Sequence, residues 1–166
     1  MQHNPQLLDK CIQFLNNIGI PTSFRKTESG SFLPGLLIEN GCIVIDKDAL
    51  LYPGDILHEA GHIAVVPADR RSVLDQQAII ESKERDSEEM MAIAWSYAAC
   101  IHLQIDPHIV FHEQGYKGDG KGIVENFQSG FFFGTPMLQW CKMTIEPKHA
   151  QPGEPVYPQM LKWLRD

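Results

Sequence analysis

Positive charge is scarce in this chain, which sets 14 Lys and Arg against 21 Asp and Glu for a formal net charge of −7. That balance argues against holding nucleic acid or an anionic membrane through a general basic field. Long apolar runs are also missing. The longest, over 90–101, falls short of the roughly 20 residues that a helix needs to cross a bilayer. The opening Met1-Gln2-His3-Asn4-Pro5 has neither the basic start nor the apolar stretch of a signal peptide, so none is expected. Cysteine is sparse as well: Cys11, Cys42, Cys100 and Cys141 show no short paired spacing, and three of them sit among apolar neighbours. Reduced thiols in a cytoplasmic protein are the expectation, although an even count leaves room for a disulfide.

What the chain does have is 43 % hydrophobic residues over 166 positions, enough for one domain with a sizeable core. Within it, His58-Glu59-Ala60-Gly61-His62 is an HExxH string. Residues four apart lie on one face of a helix, so His58 and His62 can direct two imidazole nitrogens at one metal ion, with Glu59 placed as a base toward metal-bound water. The surroundings favour a helix over about 53–66. Pro53 is tolerated in a first turn, Asp55 suits the positive end of the dipole, and Pro67 stops the segment. Ala60 and Gly61 allow a neighbouring backbone to come close, and Ile56, Leu57, Ile63 and Ala64 supply apolar surroundings. The bland alternative is a core helix with two histidines at its solvent edge.

Catalytic zinc takes three protein ligands and an open position, so one ligand is missing from the string. The extension HExxHxxGxxH is excluded, because Val65 stands where the glycine belongs and Ala68 where the last histidine belongs; Asp69 misses that place by one residue. Downstream, Glu88 and Glu89 open a second helix expected over about 86–103, with Ser87 as a candidate N-cap and an apolar stretch from Met90 to Ile101 that marks burial. A carboxylate at the mouth of a buried helix needs a partner, and a metal ion is one; solvated first-turn glutamates are the alternative. Cys42, sixteen residues before His58, is a further candidate, set against a small apolar residue on a strand.

His58-Glu59-Ala60-Gly61-His62, followed by Glu89-Met90-Met91-Ala92 and the aromatic Trp95, resembles the ImmA/IrrE-type metallopeptidases, which pair HExxH with a helix opening ExxA. The resemblance covers roughly residues 30–103. It implies zinc held by His58, His62 and Glu89, with Glu88 in reserve and Glu59 as general base. Ile93 departs from the polar residue usual after ExxA. Many members of that family also carry a helix-turn-helix module; these 166 residues leave no room for one, so direct DNA binding is not expected.

Elsewhere, Leu7, Leu8, Cys11, Ile12, Leu15 and Ile18 recur at helical spacing up to Gly19 and Pro21. The stretches 32–39 and 42–46 read as strands joined by an Asn40-Gly41 hairpin turn. Such a hairpin offers an edge for an extended substrate, or merely covers the helix pair. The charged span 69–89 reads as a solvated connection with room for a short helix. Segment 114–122 approaches a phosphate-binding loop, but Gly122 replaces the Ser or Thr that must hold Mg²⁺ and no clear helix is expected after it, so a mobile loop lining the cleft is the better reading. His102, His108, His112, Tyr97 and Tyr116 are equal candidates for donating a hydrogen bond to a tetrahedral oxyanion, each set against a purely structural role. The aromatic span 127–143 reads as core packing or as a pocket for a substrate side chain. A Pro-rich segment, 147–158, should run extended over the surface. It leads into an apolar patch of Met160, Leu161, Trp163 and Leu164 that must dock on this protein or on a protein partner.

The expectation is therefore an α+β, zincin-like single domain: a small antiparallel sheet packed on the HExxH helix and on a second buried helix. Its expected activity is Zn²⁺-dependent hydrolysis of a peptide or protein substrate, with no nucleic acid or membrane partner. The alternative is a non-proteolytic regulatory or protein-binding module on the same fold.

Overall fold

The structure, a computed structural model, describes residues 5–27 and 33–166. Helix α1 (Pro5–Ile18) turns Cys11, Phe14 and Leu15 inward, the face set by its apolar spacing. Strands β1 (Thr22–Phe24), β2 (Leu36–Glu39) and β3 (Cys42–Ile45) form a sheet in the order β1-β3-β2. β2 and β3 make the expected antiparallel hairpin, with Asn40 and Gly41 at φ 51° and 68°, the paired left-handed conformation that two-residue hairpin turns favour.

Two expectations for the sheet need correction. It is mixed rather than antiparallel, since β1 pairs with β3 in parallel, Thr22 opposite Ile43. Thr22-Ser23-Phe24 lies half-buried to exposed on an edge, so it has no apolar alternation by which its sequence could announce a strand. The first hairpin strand begins at Leu36 instead of Phe32, because Pro34-Gly35 turns the chain, with Gly35 at φ 77°. Phe32 itself lies outside the described residues.

Helix α2 (Asp55–Val65) carries the HExxH string and ends where Val66 becomes extended before Pro67, the conformation a following proline imposes. Short helices α3 (Ala68–Arg71) and α4 (Gln76–Glu81) occupy the charged connection. The second long helix, α5 (Arg85–Leu103), is buried along most of its length, including Trp95 and Ala98 at 0 % exposure. Ser87 does not cap it: Glu84 holds that position, and the Ser87 hydroxyl donates back to the Glu84 carbonyl at 2.8 Å. α2 and α5 pack backbone to backbone at Gly61, where a Cβ would stand 2.8 Å from the Ala92 carbonyl oxygen. The Ser96 hydroxyl, buried between them, bonds the Ala92 carbonyl at 2.6 Å and reaches the Leu57 carbonyl at 3.3 Å.

Helix α6 (Gly120–Gln128) does follow the glycine-rich segment, contrary to expectation. Only Ile123, Val124 and Phe127 form its buried apolar stripe, and a first turn of Gly120-Lys121-Gly122 hid it. α7 (Thr135–Trp140) closes the aromatic span. Phe127 and Tyr157 join the core there, whereas Phe131 and Trp140 face solvent. The apolar patch near the end docks on this chain: the Trp163 ring meets Phe14 at 4.9 Å and Trp95 at 5.4 Å, and Trp95 Nε1 donates to the Trp163 carbonyl at 2.8 Å. Among the described residues no helix is long and apolar enough to cross a membrane. All four cysteines are free.

Candidate metal centre

Helical spacing places His58 and His62 one turn apart on α2, and the packing of α5 brings Glu89 of its first turns against them. His58 Nε2 lies 3.2 Å from His62 Nε2; Glu89 sets one carboxylate oxygen 3.5 Å from the first and the other 3.3 Å from the second. One ligand atom from each of the three residues lies within 4.8 Å of the others, so this His-His-Glu cluster could hold a metal ion. It is the one such group among the described residues.

The adjacent candidates are sorted by their surroundings. Glu88 is buried and turned away, accepting from the Arg70 guanidinium at 3.3 Å. Cys42 stands at the start of β3, with its thiol directed to Ser23 Oγ at 3.6 Å, and does not join the cluster. His112 is absent from it too, because its Nε2 bonds Asp55 Oδ1 at 2.9 Å. Three candidate ligands therefore converge, the number that catalytic zinc sites use.

The polar groups fit a cation. Four buried side-chain atoms lack a hydrogen-bond partner among the described residues, and three of them are His58 Nδ1, Glu59 Oε2 and His112 Nδ1. Buried polar atoms are almost always paired, so this concentration marks a place built to receive something. Burial first, then the positive charge of His62, pushes the His58 imidazole down to about 4, leaving it neutral as a ligand must be. Burial alone would also lower His62, but its hydrogen bond to Glu89 and the charges of Glu59, Glu89 and Glu88 outweigh that and raise it. Glu89 is held down at about 2: burial would raise it, but the hydrogen bond to His62 and the charges of His58, His62 and Arg85 prevail. Glu59 goes the other way. Burial, with Asp55 and Glu89 adding to it against His62, lifts its carboxyl to about 7.

Around this cluster lies a second layer that sequence spacing does not reveal. Asp55 is buried at the start of α2 and pairs with His112, 57 positions away. The His112 ring stacks on Tyr52 at 3.9 Å, and Gly115 comes so close to it that a Cβ there would meet Cε1 at 3.2 Å. Beyond Gly115, the Tyr116 ring stands T-shaped to His58 at 5.4 Å and 83°. The glycine-rich loop does line the site, as its composition suggests. Of the other oxyanion candidates, Tyr97 packs against Phe127 and Tyr157, His102 against Phe14 and Trp163, and His108 is exposed.

Fold and site together define an α+β chain with a His-His-Glu cluster able to take a metal ion. No family model matches the chain, no curated protein matches it in sequence, and no solved structure matches it.

Proposed function

We propose that this chain is a zinc-dependent metallopeptidase of zincin-like build, in line with the resemblance of its HExxH and ExxA segments to the ImmA/IrrE type. The observation that carries the reading is the convergence of His58 Nε2, His62 Nε2 and a Glu89 carboxylate oxygen next to the buried, unpartnered Oε2 of Glu59. His58, His62 and Glu89 would hold the ion, and two imidazoles with one carboxylate are a donor set that suits Zn²⁺. Zinc in such a set supplies Lewis acidity, lowering the pKa of water toward about 7 and polarising a carbonyl.

The remaining work falls to the protein. Glu59 takes the proton of the attacking water on its free oxygen and passes it to the nitrogen of the departing amine. The apolar neighbours Ile56, Leu57, Ile63 and Ala64, all at 0 % exposure, keep the back of the site dry. β2 is an edge strand packed on α2, so an extended peptide paired along it would run past the helix that carries His58 and Glu59.

The test is a peptide library incubated with the zinc-loaded chain and read by mass spectrometry for new termini. Cleavage by the wild type and none by Glu59→Gln is the expected result. Equal product from both proteins would overturn the reading.

A further inference from the structure

Tyr116 sits in a conformation that the chain adopts only under constraint. It and Lys117 are consecutive left-handed residues, at φ 53° and 56°, between Gly115 and Gly118. Non-glycine residues rarely take this conformation, and strained backbone of this kind persists where the surroundings over-determine it, commonly at functional sites. The constraint is visible on both sides. Upstream, the His112 ring is fixed by Asp55, by the Tyr52 face and by Gly115. Downstream, Gly120 opens α6 so close to Phe111 that a Cβ would stand 2.4 Å from the Phe111 carbonyl oxygen. Between these anchors the Tyr116 ring lies T-shaped to His58 at 5.4 Å and packs on Phe111 at 5.2 Å. Its hydroxyl makes no hydrogen bond among the described residues, although the Asp55, Glu59 and Glu89 carboxylates bear on it electrostatically.

We propose that Tyr116 is a catalytic residue whose hydroxyl donates a hydrogen bond to the oxygen of the carbonyl under attack, an inference that rests on the metallopeptidase reading. Geometry selects it among the five candidates raised by the sequence. Tyr97, His102 and His108 touch none of the ligand residues. His112 has one nitrogen committed to Asp55 and the other buried, with the ring stacked on Tyr52 and Gly115 close to it, so it positions the loop instead of touching substrate. Tyr116 alone adjoins a ligand histidine with its donor uncommitted. A preorganised donor aimed at a developing negative oxygen is worth most where the backbone has already been fixed in place.

Acetohydroxamate is the probe, because it presents a carbonyl-type oxygen to a zinc site without requiring a known substrate. The zinc-loaded full chain is titrated with it calorimetrically as wild type and as Tyr116→Phe, which keeps the ring on His58. Zinc stoichiometry and thermal midpoint are read in parallel. The expected result is unchanged zinc and midpoint with hydroxamate bound about tenfold more weakly, the loss of one hydrogen bond to a charged acceptor. In the wild type, the tyrosine ultraviolet band should shift on binding, a change absent from the variant and one that needs no comparison of variant folds. Equal hydroxamate affinity, or no spectral shift, overturns the role of Tyr116 and leaves the metallopeptidase reading standing. Lost zinc or a lowered midpoint in Tyr116→Phe makes the phenol structural and also overturns it. A wild type that takes no zinc, or takes zinc and binds no hydroxamate, overturns the parent reading along with this one.

Discussion

The two ends of α2 treat their polar groups in opposite ways. At the C-terminal end, the carbonyls of Ile63, Ala64, Val65 and Val66 are all satisfied. Arg71 donates from Nε to Ile63 and from its guanidinium to Val66, while Arg165 donates its backbone N–H to Ala64 at 2.9 Å and a guanidinium N–H to Val65 at 3.2 Å. The N-terminal half instead buries His58 Nδ1, Glu59 Oε2 and the His112 Nδ1 beside Asp55 without partners. Helix ends are ordinarily closed by such caps, and buried polar atoms are ordinarily paired. One helix thus has a closed end, and an open half that the proposed function assigns to an ion and a substrate.

The sharpest way to break the contrast is at Glu59. In the zinc-loaded protein, Glu59→Gln should lower peptide hydrolysis by about a thousandfold with zinc retained, the usual scale for a lost general base. A bound metal with near-wild-type turnover would remove Glu59 from the chemistry.

The same substitution reports on the metal-free protein through pH. The Glu59 carboxyl stands at about 7 in the folded chain against an ordinary 4.5, so its contribution to stability is fully present below pH 4.5 and is lost as pH rises through 7. Glu59→Gln carries no such penalty. In the presence of a chelator its unfolding free energy should exceed that of the wild type above pH 7, by up to about 3 kcal/mol, with the gap closing below pH 4.5. Calorimetric scans across that range would show it; a gap that does not change with pH would mean Glu59 is not buried as described.

At the closed end, Arg71→Ala should cost about 2 kcal/mol in denaturant unfolding, the scale for charged hydrogen bonds to buried carbonyls, and leave zinc stoichiometry at the wild-type value. Zinc lost with only slight destabilisation would erase the distinction between the two ends. The smallest effect is expected at Cys42, since its thiol faces Ser23 and stands apart from the cluster. Cys42→Ala should keep zinc and change stability by less than about 1 kcal/mol, measured by metal analysis and chemical unfolding together.

How much of this the sequence discloses depends on how local the signal is. HExxH on a helix, a small residue at Gly61 and the buried α5 are written in spacing of three to four residues, and the structure places His58 beside His62 accordingly. The choice between Glu88 and Glu89 is one of helical phase: 100° of rotation sends one carboxylate to Arg70 and the other to the imidazoles. Spacing within a single helix could not decide it, because the answer depends on how α5 is rotated against α2. The Asp55–His112 pair and the Tyr116 loop were out of reach for the same reason, being formed between residues far apart in the chain. β1 and α6 escaped notice because their local chemistry, a half-exposed Thr22-Ser23-Phe24 and a glycine-rich first turn, contradicts the structure that tertiary packing imposes.

Native mass spectrometry of the purified chain, run beside Glu89→Ala and Glu88→Ala, tests the central claim most directly. One zinc per chain is expected in the wild type and in Glu88→Ala, and none in Glu89→Ala at the same zinc concentration. Zinc retained by Glu89→Ala, or a wild type that takes up no metal when zinc is offered, would contradict it.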